Sequence, residues 1–130
     1  RGEIGLLNIE LELPSLQGER REDKTRLLAW LKSQELLSAS WSDVNSDCLE
    51  EKPFDGDLCA AILSACARSQ SRIMLFQLDD LQLLEAPVNI PGTYREYPNW
   101  RRKQKLDTST LFADSNIQAL MASISRERKR

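Results

Sequence analysis

The chain has 130 residues, with 18 Lys and Arg against 20 Asp and Glu and a net charge of -2. Hydrophobic residues at 41% and charged residues at 29% give room and composition for one globular domain. No stretch approaches the ~18 consecutive apolar residues of a membrane-spanning helix, and no membrane partner is expected. The opening RGEIGLLNIELELP carries acids inside its apolar run, unlike a signal peptide. His is absent, which excludes a Ser-His-Asp triad, a Cys-His pair and any His-bearing zinc site within this chain. Cys48, Cys59 and Cys66 are odd in number and form no CxxC, which points to a reducing, cytoplasmic compartment. There is no GxGxxG or GxxxxGK[ST] loop. No metal and no cofactor is expected. The chain starts at Arg1, not Met, so it is expected to be cut from something longer or to be processed.

Residues 1–22 show no helical period. Ile4, Leu6, Leu7 and Ile9 suggest a short strand or irregular segment, which Pro14 and Gly18 punctuate. A helix is expected from about Asp23, its N-cap, to Leu37, with Leu27, Leu28, Trp30 and Leu31 as its apolar stripe. A one-turn helix can form around Trp41–Val44. The next helix should run from about Asp57 to Arg68 and bury Leu58, Cys59, Ile62, Leu63 and Cys66, the two Cys serving as small core hydrophobes.

After a turn at Ser69–Ser71, the run RIMLFQL (Arg72–Leu78) is apolar on both faces and too short for a helix. It reads as a strand buried on both sides. Asp79 and Asp80 stop it and cap a helical turn over Leu81–Glu85. Helix, buried strand and loop in that order imply half of a βαβ unit, hence an α/β fold.

Residues 86–106 form a long loop with three Pro, one Gly and the aromatics Tyr94, Tyr97 and Trp100. Loops of this length in compact domains are usually functional or disordered, and the aromatics argue against disorder. A last helix starts near Asp114 or Ser115, with Ile117, Leu120, Met121 and Ile124 on its apolar face. Its terminal Arg126, Arg128, Lys129 and Arg130 suit the negative end of the helix dipole. From Pro91 to Arg130 nine Lys and Arg face four Asp and Glu; the rest of the chain is acidic.

The chemistry concentrates in Val88–Lys103. Asn89 can donate to and accept from a hydroxyl. Pro91 biases Ile90 toward extended geometry, and Gly92 lets the backbone turn or approach a ligand. An amide beside aromatics on such a loop is equipment for sugar. A competing reading takes Tyr94, Arg95, Tyr97, Trp100, Arg101, Arg102, Lys103 and Lys105 as a basic-aromatic surface for an interaction module binding nucleic acid or glucan. The acidity of the whole chain opposes the nucleic-acid version, since such affinity rests on phosphate neutralisation.

Two stretches carry a family resemblance. Phe76–Lys103, FQLDDLQLLEAPVNIPGTYREYPNWRRK, resembles the C-terminal part of bacterial 4-alpha-glucanotransferases, the amylomaltases, and the likeness continues into LFADSNIQALMASISRERKR. Leu13–Gly18, LPSLQG, resembles the family's segment just after a catalytic-site His-Asp pair. The resemblance implies a (β/α)8 barrel. Since such a barrel takes roughly 250 residues, this chain would be its C-terminal fragment. Residues 1–130 would then be a single piece, mostly helical with one clear buried strand. It would hold the last two β/α units, with a strand at about 72–78, an active-site loop at 86–106 and a closing helix at about 115–128, the rest of the barrel lying upstream.

The implied reaction is retaining transfer of α-1,4-glucan segments between maltodextrins, through a carboxylate nucleophile and a second carboxylic acid. Both would lie before Arg1, so no catalytic residue is assigned here and the isolated chain should be inactive. At the position of the family's transition-state-stabilising Asp stands Glu12, and Leu11 replaces the preceding His. Asn89, Pro91 and Gly92 match the family's sugar-side loop and are the expected substrate-binding residues for a maltodextrin or other α-1,4-glucan.

Overall fold

A computed structural model describes residues 9–44 and 52–129, with side chains from residue 14 onward. The described residues form six helices: α1 (Ile9–Ser33), α2 (Ala39–Ser42), α3 (Gly56–Ala67), α4 (Leu78–Leu81), α5 (Thr108–Leu111) and α6 (Ser115–Arg128). They belong to two compact units, Arg1–Phe54 and Asp55–Arg130. The expected strand at Ile4, Leu6 and Leu7 lies outside the described residues, as do Cys48 and the side chains of Ile9, Leu11 and Glu12. No described helix is long and apolar enough to cross a membrane.

In the first unit, α1 starts fourteen residues before the expected Asp23 and passes through Pro14. Around Pro14 and Gly18 lie Leu, Gln, Glu and Arg, all good helix formers, and their summed propensity outweighs the two breakers. Asp23 is therefore no cap. It sits inside the helix, 3.9 Å from Arg26, which also bonds Glu22 one turn back at 2.9 Å. The helix ends at Ser33, and the chain turns away at Glu35, whose φ is 57. There Leu36 N–H bonds Leu31 C=O at 3.1 Å and Glu35 N–H bonds Lys32 C=O at 3.0 Å, a Schellman closure made without glycine. Of the expected stripe, Leu28 and Leu31 are buried while Leu27 and Trp30 are not. The one-turn helix α2 buries Trp41. The ammonium groups of Lys52 and Lys24 stand 4.1 and 5.7 Å from the Trp41 ring centre, within cation–π range.

The second unit is organised by α3 packed on α6. Asp55 caps α3 by accepting from Leu58 N–H at 2.9 Å, and Asp114 caps α6 by accepting from Asn116 and Ile117 N–H at 2.9 and 3.1 Å. Cys59, Leu63 and Ala67 meet Ile117, Leu120 and Ile124, and Leu81 and Leu111 complete the cluster. A fully buried Leu or Ile of this kind contributes about 1.5–3 kcal/mol. Cys66 breaks the expected face. It shares a side with Cys59, yet it lies on the last turn of α3 and is exposed. Arg128, near the C-terminal end of α6, reaches across to the carbonyls of Ala67, Ser69 and Ser71, while Arg68 pairs with Glu127 at 2.6 Å.

The largest correction concerns Arg72–Leu78. Among the described residues there is no strand and no sheet, so the α/β class, the buried strand and a barrel-like fold are overturned in favour of a helical one. Residues 73–77 are irregular. Met74 and Phe76 pack partly on the core, whereas Ile73 is 76% and Leu75 90% exposed. A strand exists through its neighbours' hydrogen bonds, and no described segment supplies them. The helical turn expected at Leu81–Glu85 is displaced to Leu78–Leu81. There Asp80 accepts from Gln77 N–H at 2.9 Å and closes the N-terminus.

Candidate functional site

Residues 86–106 are ordered by their own polar groups. Ile90-Pro91-Gly92-Thr93 closes as a β-turn, with Thr93 N–H on Ile90 C=O at 3.2 Å and Gly92 at φ 83. Negative φ at Pro91 followed by positive φ at Gly92 is the type II pattern, which Pro and Gly favour at those two positions. Thr93 Oγ1 also donates to Ile90 C=O at 2.7 Å. Pro98-Asn99-Trp100-Arg101 closes in the same way, with Arg101 N–H on Pro98 C=O at 3.0 Å, but its third position is Trp100 at φ 59. A bulky residue there carries strain of about 1–3 kcal/mol unless its surroundings enforce it. The enforcing contact is Trp100 N–H on Val88 C=O at 3.0 Å.

Asn99 joins the two turns. Its Oδ1 accepts from Ile90 N–H at 2.8 Å, and its Nδ2 donates to Thr93 C=O and Thr93 Oγ1 at 2.9 and 2.8 Å. The Tyr97 hydroxyl donates to Pro87 C=O. Glu96 accepts from the backbone N–H groups of Tyr94 and Arg95, which hold its carboxyl below the usual range.

A second set of contacts pins the base of the loop to α4. The buried Asp79 carboxylate accepts from Arg102 Nη2 and from Gln104 Nε2, the latter at 2.7 Å. Arg102 Nη1 donates to Ala86 C=O, so one guanidinium ties both ends of the loop together. Gln82 adds a bond to Gln104 Oε1 at 2.5 Å and accepts from Leu106 N–H at 3.1 Å. Charge-assisted bonds to a desolvated carboxylate are among the strongest a loop can make.

Between α4 and the loop lies a cavity of about 380 Å³, lined among others by Asp79, Asp80, Glu85, Val88, Asn89 and Trp100. Its size falls in the lower part of the ~300–1,000 Å³ range of ligand pockets. Asn89 is exposed on this wall, and its side-chain amide makes no hydrogen bond to any described residue. Pro91 and Gly92 stand at the exposed tip of the turn, off this wall. Asp79 is committed to Arg102 and Gln104, and Asp80 to the α4 cap, so neither is free to attack or to shuttle a proton. A larger cavity of about 480 Å³ opens beside α3 and α6, with Ala60, Leu81, Leu83, Ala119 and Leu120 as its aliphatic wall and Asp57, Asn116 and Ser123 as its polar side chains. Among the described residues, no group of three His, Cys, Asp or Glu side chains could hold a metal ion.

The sequence pattern pointed to Asn89, Pro91 and Gly92. It missed the residues that hold them, Asn99, Arg102 and Asp79. The available signal was Asn99 itself, since a side-chain amide after Pro commonly bonds nearby backbone.

Comparison with known proteins gives two findings. A family model described as 4-alpha-glucanotransferase matches residues 16–108. A 4-alpha-glucanotransferase of Haemophilus influenzae is 29% identical over 126 residues, which cover 97% of this chain but 17% of that protein. The matched span runs from within α1 to the start of α5, with the whole Asn89–Trp100 loop inside it, and on that ground the chain belongs to the 4-alpha-glucanotransferase family.

Proposed function

We propose that this chain is the part of a 4-alpha-glucanotransferase that offers one wall of the glucan site, through the loop bearing Asn89, and that it transfers no glucan by itself. The observation that carries this is the uncommitted Asn89 amide on the wall of the 380 Å³ cavity, on a loop that hydrogen bonds hold rigid. A maltodextrin presents hydroxyls, and an amide that both donates and accepts can serve either role of each. Pro91 and Gly92 contribute by shape, setting the turn that follows Asn89.

Inactivity of the chain alone rests on the carboxylates. Retaining transfer needs a nucleophile and an acid about 5–5.5 Å apart, and Asp79 and Asp80 are both spent on structural hydrogen bonds. The free thiols of Cys59 and Cys66 support a reducing, cytoplasmic setting.

Two measurements test the reading. Incubation with maltotriose should yield neither glucose nor longer dextrins, and their appearance would refute inactivity. Titration with maltoheptaose should give binding heat that Asn89→Ala reduces. Equal heats would remove Asn89 from the site.

A further inference from the structure

We propose that Trp100 is a stacking platform for one glucosyl ring at the mouth of the Asn89 cavity. The inference deepens the glucan reading and rests on it.

At Trp100 side chain and backbone are mismatched. Trp100 occupies the third position of a turn at φ 59, where glycine is the comfortable residue and where the neighbouring turn does place Gly92. Its indole takes nothing from the core in return, since it is 76% exposed while Trp41 is 2% exposed. A large ring held at an unfavourable φ and left in water is explained by what it displays.

What it borders fits one chemistry. Trp100 shares the cavity wall with the unbonded Asn89 amide and with Asp80 and Glu85. A pyranose ring has a face of C–H groups and a rim of hydroxyls. The indole face meets the former, and the Asn89 amide and the Glu85 carboxylate meet the latter. The Asp80 and Glu85 charges repel a phosphate backbone, which argues against a stacked nucleobase.

The ring is also held in place. Trp100 N–H is fixed on Val88 C=O, Asn99 beside it is locked by three hydrogen bonds, and Arg102 two residues later is clamped to Asp79. A platform ordered before the ligand arrives loses little entropy on binding.

The test uses the 130-residue chain, maltoheptaose and two substitutions. Trp100→Gly suits the positive φ, so it should melt no lower than the parent while its affinity falls about tenfold, and Trp100→Phe should stay within about threefold. In a Trp30→Phe background, iodide should quench Trp100 and saturating maltoheptaose should suppress that quenching.

If the parent binds maltoheptaose and Trp100→Gly binds equally well, stacking is wrong and the glucan reading stands. If the parent gives no binding, both fall. A Trp100→Gly melting point several degrees below the parent would make the ring a packing residue and overturn the proposal. So would protection of Trp100 by a single-stranded oligothymidylate and not by maltoheptaose.

Discussion

Residues 72–77 and residues 86–106 flank α4 in sequence and differ in almost every respect. The first segment is apolar, and its outward residues Ile73 and Leu75 stand in water. The second is polar and rich in Pro, yet two closed turns, the Asn99 bonds and the Arg102 clamp hold it. Apolar side chains are satisfied only by whatever lies beside them. Asn, Arg and Asp carry directional partners within the loop itself, so a segment with the lower hydrophobicity becomes the better defined of the two.

The contrast can be broken most directly at Asp79. Asp79→Ala leaves a half-buried guanidinium without its carboxylate partner, with only the Ala86 carbonyl remaining, and should cost about 3 kcal/mol in urea unfolding. A loss near zero would mean that the loop is held some other way. Asn99→Ala should cost about 2 kcal/mol and should speed hydrogen exchange at the Ile90 amide. Unchanged exchange there would separate the two turns.

On the other segment, Phe76→Ala should cost about 1–2 kcal/mol, below the full-burial value because the ring is only partly covered. Leu75→Lys should stay within about 0.5 kcal/mol. A Leu75→Lys loss matching that of Phe76→Ala would restore burial on both faces and end the comparison.

The smallest effect at neutral pH belongs to Cys59. Burial, with a minor contribution from the Asp80 charge, pushes its thiol from 9.0 up to about 11. The folded state thus keeps the proton that the unfolded state releases first. Stability is whole below pH 9 and declines as pH rises towards 11. At pH 8 Ellman's reagent should label the exposed Cys66 and spare Cys59. Labelling of Cys59 at a similar rate would place it outside the α3–α6 core.

How far the sequence could be read depends on the range of the interactions. α6 was legible because Asp114 and the spacing of Ile117, Leu120 and Ile124 are local facts, and the structure keeps all of them. The turn at Ile90–Thr93 was legible because Pro and Gly determine their own backbone. The first half of α1 was not, since Pro14 and Gly18 are breakers only when their surroundings do not outvote them. Arg72–Leu78 has the pattern of a strand without being one, because periodicity cannot report whether a neighbour exists on each face. Asn99 was within reach through its local bonds, whereas Arg102 and Asp79 are 23 residues apart and neither alone announces the other.

Arg128 has a consequence for the middle of the chain. By bonding Ser69 and Ser71 it moors the upstream end of the irregular segment, as the Gln77–Asp80 closure moors the downstream end. The five residues between Ser71 and Gln77 are a span fixed at both piers. Trimming three residues from the tail would therefore slacken a stretch that begins 57 positions earlier, and the damage would surface far from the cut.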